Sequence, residues 1–211
     1  MGRSILAAMV RANGGAGAAS RADPAHLDAL AREALSQDPA ATREFLLAIA
    51  PAIWRACRGV MGARHTDLED TIQDCFVDVT RGLPSYRFEG SLLGFVAKIA
   101  IRRALAHRRR SVERVRNLQL LGDLNDEAPV ADANVAELER AEVMRDLIRR
   151  LRPIQAETLI MRVVLGFSVE EIALATDVSV NTVKTRLRLG KNALRKSLIS
   201  HEWQAAKESG R

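Results

Sequence analysis

The sequence has few of the residues from which catalytic, metal-binding and secreted proteins are usually built. Its two cysteines, Cys57 and Cys75, are too few for a disulfide framework and lack the paired spacing of a zinc site. The chain therefore reads as reduced and intracellular, in the cytoplasm. Aromatic residues make up only 4%, and the dominance of Ala, Leu and Arg favours helices over strands. No apolar run approaches the roughly 18 residues of a membrane span, so no membrane insertion is expected. Near the N-terminus, Arg3 and the short run Ile5 to Val10 have the look of a signal peptide. Arg11 interrupts that run too early, and Arg11 to Ser20 reads better as a flexible Ala/Gly-rich leader. The histidines are scattered, no glycine-rich phosphate loop precedes a helix, and no nucleophile sits beside a base. The sequence thus points to no enzyme, no cofactor and no metal site.

What is present is an apolar fraction of 47%, enough for a packed core, and a net charge of +6 that is unevenly spread. Residues 66–80 hold Asp67, Glu69, Asp70, Asp74 and Asp78 and no basic residue. Residues 98–116 hold Lys98 and seven arginines against Glu113 alone. Residues 117–146 return to an acidic balance, eight acids against Arg140 and Arg145. An acidic helix, a basic helix, an acidic connector and a basic end imply more than one partner surface.

Helical periodicity predicts an all-α fold of two small domains joined by a flexible linker. Residues 1–37 form a leader and short helix, 38–110 the first domain, 111–136 the linker, 137–199 the second domain and 200–211 a tail. Asp38-Pro39 marks a helix start, and the apolar pattern runs from Phe45 to Val60, bent near Pro51. Thr66-Asp67-Leu68-Glu69 reads as a capping box, opening a helix with Leu68, Ile72, Cys75, Phe76 and Val79 on one buried stripe. Ser91 opens a long helix that buries Leu92, Phe95, Val96 and Ile99 and turns Lys98, Arg102 and Arg109 to another face. The linker carries Gly122, Asn125, Pro129 and Asp132, with a little helix near Val115 to Leu121. In the second domain Pro153 starts a helix that Gly166 ends. Ser168-Val169-Glu170-Glu171 is a second capping box, opening a short helix to Thr176. Asp177-Val178-Ser179 is the turn, and a last helix runs from Val180 to about Ser197.

That short helix, turn and longer helix make a helix-turn-helix. Val180, Val183, Leu187 and Leu194 share one side of its second helix. Asn181, Lys184, Thr185, Arg188 and Asn192 share the other, where they can reach base edges and phosphates in a major groove. Tyr86 and Phe88, in the loop before the basic helix, read equally as hydrophobic plugs or as platforms that stack unpaired bases while arginines hold the backbone. His107, inside the arginine run, reads as DNA-facing or solvated. The acidic helix is too negative to touch DNA and fits a protein partner with basic residues.

Three segments in this order resemble the extracytoplasmic-function (ECF) sigma factors, the small two-domain specificity subunits of bacterial RNA polymerase. They are DLEDTIQDCF (67–76), YRFEGSLLGFVAKIAIRRALAHRRR (86–110) and the stretch 151–198. The resemblance implies that Asp67, Asp70, Gln73 and Asp74 dock the first domain on the β′ clamp helices. It implies that Tyr86, Arg87, Phe88, Lys98, Arg102 and Arg109 capture the opened −10 strand. Asn181, Thr182, Lys184, Thr185, Arg186 and Arg188 would read the −35 element, with the second domain on the β flap. An anti-sigma factor is a further implied partner, and promoter DNA is the target. The chain departs from the family pattern in carrying Phe95 where Trp is usual, Arg102 where Asn is common, and Leu189 and Gly190 in place of a basic residue and Ala. A LuxR-type regulator shares the helix-turn-helix but would need a receiver or ligand domain, and residues 1–110 have no βα alternation to build one.

Overall fold

The computed structural model describes residues 23–120 and 135–209, and every regular element among them is helical. The leader at 11–20 and the Pro129 region of the linker lie outside the described residues. Helix α1 spans Pro24–Ala34, with the Asp23 side chain accepting a bond from the Ala25 amide and Leu27, Leu30 and Ala31 buried. Helix α2 spans Pro39–Met61. Asp38 caps it by accepting from the Ala41 amide at 2.8 Å, and Pro39 supplies a first-turn φ without needing its missing N–H. The helix continues through Pro51, whose lost bond would have gone to the carbonyl of exposed Leu47, where water can serve instead. It ends at Gly62, whose φ of +94° is in the region that favours glycine.

Helix α3 spans Leu68–Gly82 and begins differently from the Thr66 capping box expected. The residue at its cap position is Asp67, and no side chain caps the helix. Instead the Asp67 amide donates to Nδ1 of His65 at 3.1 Å and the Leu68 amide to the His65 carbonyl. Burial of the His65 ring lowers its pKa against the opposing pull of the Asp67 charge, consistent with an imidazole used as an acceptor. The predicted stripe is otherwise in place, with Leu68, Ile72, Cys75 and Val79 buried and Phe76 half-buried.

A 3₁₀ turn at Leu83–Ser85 leads into the loop before α4, Leu92–Leu120. Ser91 Oγ accepts from the Gly94 amide at 3.1 Å, as an opening serine should. Helix α4 runs past residue 110 into the stretch read as a linker, because no Gly or Pro occurs between Phe95 and Leu121. Helices α5 (Val135–Arg150), α6 (Pro153–Val163), α7 (Val169–Thr176) and α8 (Val180–Ser209) complete the described chain. Helix α8 extends beyond Ser197 through the segment read as a tail, since no Gly or Pro occurs between Lys191 and Ser209.

Helix α4 is the centre of the fold. It packs on α2 and α3, and also on α6 and α7. Val96, Ala97, Ala100, Ile101 and Ala104 are fully buried along it. The buried side chains of both helical groups, from Phe45 and Ile53 to Ile160, Ile172 and Val183, form one continuous core. Each large aliphatic residue sequestered there contributes about 1.5–3 kcal/mol relative to remaining in water.

Candidate nucleic-acid and partner interface

The helix-turn-helix is assembled from local rules. Ser168 Oγ accepts from the Glu171 amide at 3.0 Å, and Glu171 Oε2 accepts from the Ser168 amide at 2.7 Å, so the predicted capping box is complete. Asp177 takes the left-handed conformation, φ +52°, which its short polar side chain tolerates better than most. The Val178 amide then bonds to the Ala173 carbonyl and the chain reverses. Ser179 opens α8, its Oγ accepting from the Thr182 amide at 3.2 Å. Ser168→Ala is expected to cost about 1 kcal/mol of stability, the usual loss for a removed N-cap. A denaturant midpoint unchanged from the parent chain would refute that estimate.

Val183 and Leu187 are buried and fix the roll of α8. Asn181, Lys184, Thr185, Arg188 and Asn192 are all exposed on its outer side, as their spacing requires. Arg186 is half-buried, and Thr182 shares its hydroxyl with Ser179 at 2.9 Å. Gly190 lies inside, where a Cβ would stand 2.7 Å from Cδ1 of Leu159. The glycine therefore marks the crossing of α6 and α8. Beside it, Leu151, Gln155, exposed Leu189 and Ala193 line an open groove with Arg150 and Lys196 on its edge.

In the first helical group the acidic and basic helices meet. Arg103 Nε donates to Asp78 at 2.7 Å and the guanidinium also approaches Asp74. The Asp78 bond raises the Arg103 pKa further. His107 Nε2 lies 3.2 Å from Asp74, and Arg114 reaches Asp67 at 3.3 Å. His107 thus ties α4 to α3 and is not the DNA-facing or solvated group expected. Asp67, Gln73 and Asp74 remain partly accessible, while Glu69 and Asp70 are exposed and make no ion pair among the described residues. Exposed Val77 adds an apolar point to this acidic strip. Sequence reasoning missed it because period alone does not distinguish an exposed valine from a buried one.

The loop before α4 is built around its aromatics. Tyr86 packs against Phe88 and Phe95, each with ring centroids 5.0 Å away, and its hydroxyl donates to the Gly90 carbonyl at 2.7 Å. Burial raises the phenol pKa. Phe88 has φ +58° and carries the guanidinium of Arg32 at 4.0 Å over its ring, a cation–π contact from α1. Arg87 is exposed, Lys98 and Arg109 are half-buried, and Arg102 is exposed but ion-paired to Glu157 of α6. One arginine of the basic run is buried. Arg108 is buried and donates to the Met61 carbonyl, to Asp146 at 2.8 Å and to Glu142. Its partners lie far along the chain, so a local reading cannot single it out.

Comparison with known proteins finds a family for each helical group. Residues 46–114 match the family model of sigma-70 region 2, and residues 141–194 match that of sigma-70 region 4. Together the two cover more than half of the chain. The chain is 29% identical over 179 residues to the ECF RNA polymerase sigma factor SigD of Mycobacterium tuberculosis, spanning 82% of this chain and 84% of that protein. It is 27% identical over 164 residues to the ECF RNA polymerase sigma factor SigE of Mycolicibacterium smegmatis, spanning 76% and 62% respectively. Among solved structures, CnrH in complex with the cytosolic domain of CnrY aligns with a TM-score of 0.53 at 21% identity, over 82% of this chain and 96% of that one. That likeness supports the same fold. No helix of the described residues is long and apolar enough to cross a membrane. With region 2 occupying the half that a LuxR-type regulator would give to a sensor domain, the chain belongs to the ECF sigma factors, which direct core RNA polymerase to promoters and start transcription there.

Proposed function

We propose the following distribution of that activity over the residues. Region 2, within 38–110, docks on the β′ clamp helices through Asp67, Asp70, Gln73 and Asp74 and captures the opened −10 strand. Region 4, within 137–199, reads the −35 element. The observation that carries this reading is the exposed row Asn181, Lys184, Thr185 and Arg188 on a helix whose opposite side is locked by Val183 and Leu187. Such a row offers four side chains within about two turns to base edges, each good bidentate pair giving about 1–3 kcal/mol of discrimination. Thr182 and Arg186 contribute to the backbone on either side of it.

At the −10 element, Arg87, Lys98, Arg102 and Arg109 hold phosphates, and Tyr86 and Phe88 present ring faces to unstacked bases. For Phe88 this requires that Arg32 give up the ring, which a base can replace. The groove beside Leu189 and Ala193, with its cationic edge, suits an amphipathic acidic segment, and we assign it to the β flap. An anti-sigma factor that competes for these surfaces would silence the chain in the cytoplasm, where polymerase works. Catalysis belongs to the polymerase, so the chain itself is not an enzyme.

The reading is tested most directly at Lys184. Lys184→Ala should weaken −35 duplex binding in a salt-dependent way, reducing the slope of log affinity against log salt by about one, as expected when one cation near the phosphates is lost. An unaltered slope would place Lys184 away from DNA.

A further inference from the structure

Helix α1 lies wholly outside residues 46–114, the segment matched to region 2, yet it is packed on that region. Leu27, Leu30 and Ala31 are buried where α1 meets α2 and α4. That stripe leaves Asp28 and Arg32, one turn apart, on the flank of the helix. Arg32 sets its guanidinium 4.0 Å from the ring centroid of Phe88. Burial, and after it the charge of Asp28, raises the Tyr86 pKa, which puts the Asp28 carboxylate on the Tyr86 side of the same loop. The loop before α4 therefore meets a cation at Phe88 and an anion at Tyr86, both carried by α1.

Neither member of the Arg32–Phe88 contact is otherwise satisfied. Arg32 is exposed, and among the described residues its guanidinium has no carboxylate partner, although Asp28 stands at a spacing that often pairs. Phe88, with φ +58°, puts a bulky residue in the left-handed region, and backbone of that cost persists where a site makes use of it. A phenylalanine serving only to plug the core needs no such conformation. A solvated guanidinium lies loosely on a ring face. A phosphate offers the same group two parallel charge-assisted hydrogen bonds, which are stronger and fit its planar fork. The free chain thus holds a cation beside the ring, ready for a better acceptor.

We infer that Arg32 is a phosphate-binding residue of the −10 site, released from Phe88 when an unpaired base takes the ring and transferred to the backbone phosphate beside that base. The inference rests on the assignment of Tyr86 and Phe88 to the −10 strand. The exchange leaves nothing unmatched. Phe88 trades one stacking partner for another, and Arg32 trades the quadrupole of a ring for a full negative charge. Asp28 gives the exchange a direction, since its carboxylate repels the strand on the Tyr86 side and leaves the Arg32 side open to phosphate. Helix α1 is on this account part of the surface that captures the opened strand.

The test uses holoenzyme and a fluorescein-labelled single strand carrying the −10 element of a promoter at which that holoenzyme initiates. Arg32→Ala should weaken binding about fivefold at roughly 0.1 M salt. It should also lower the slope of log affinity against log salt by about 0.7, as for one lost contact to a single-strand phosphate. Arg32→Lys keeps the charge and should keep the slope, losing only part of the affinity with the fork geometry. Because Arg32 is exposed, neither variant should change the melting temperature of the free chain. If Arg32 merely covers the ring, Arg32→Ala will bind as tightly as the parent or more tightly, with the slope unaltered, and the inference falls. Failure of the underlying −10 assignment is distinguishable: Lys98→Ala and Phe88→Leu would then be without effect on the same oligonucleotide. A lowered slope in Lys98→Ala beside an unaltered one in Arg32→Ala would remove Arg32 alone.

Discussion

Replacing Asp70 by Lys should lower the affinity of the chain for core polymerase on the order of a hundredfold and leave its melting behaviour unchanged. Asp70 is exposed on α3 and makes no ion pair among the described residues, so the fold loses nothing when it goes, as for most exposed positions. A cation facing a basic partner surface instead costs a contact and adds repulsion, which amounts to several kcal/mol when like charges are brought together at an interface. Asp74 is a less clean site. It lies beside Arg103 and His107, and Asp74→Lys would set three groups of like sign or like tendency on the α3–α4 seam. A loss of function there would mix docking with stability. Core affinity can be read by fluorescence anisotropy of labelled chain, with thermal melting as the control. Asp70→Lys binding as tightly as the parent would remove α3 from the docking surface.

The second large effect is expected at Ile172, which is fully buried in α7. Ile172→Ala deletes three carbon atoms from the continuous core and should destabilise the chain by about 2–5 kcal/mol, the transfer loss plus the cavity. The damage is positional as well as energetic. Helix α7 is short, and its capping box and the αL residue Asp177 set its two ends, but the packing of Ile172 sets its depth. Promoter binding should therefore fall even at temperatures where most of the chain is folded. Urea denaturation gives the test: a midpoint shift equivalent to less than about 1 kcal/mol would mean the site collapses around the loss.

How much of this was legible in the sequence follows from the range of each interaction. The Ser168 box, the Asp38-Pro39 start, the Val183 and Leu187 side of α8 and the stripe of α3 all depend on residues within a few positions of one another. Those were readable. The Thr66 box failed although its letters are correct, because the histidine ring at position 65 offers a competing acceptor two residues before Asp67. Helices α4 and α8 outrun their expected ends because loss of apolar period is not loss of helix; only a breaker or an unsatisfied terminus stops one. The charge runs were legible as runs, but not residue by residue. Arg103 and Arg108 entered only as members of the basic run and His107 was read as DNA-facing or solvated, whereas the partners that claim them belong to α2, α3 and α5, far away in sequence. The packing of region 4 on α4 carried no local signature, because the helices that meet there are far apart in sequence.

The two cysteines, opening the sequence as a scarcity, have a kinetic consequence in the fold. Their sulfur atoms lie 3.7 Å apart, both fully buried between α2 and α3. Their mutual hydrogen bond and burial push the Cys75 thiol far above its ordinary pKa. A thiol held protonated and out of water is a poor nucleophile, so alkylating reagents should find nothing to attack while α2 and α3 remain together. Both become reactive in the same event, when those helices part. The pair is thus a built-in clock for the opening of region 2, its rate of modification set by how often the helices separate rather than by the reagent.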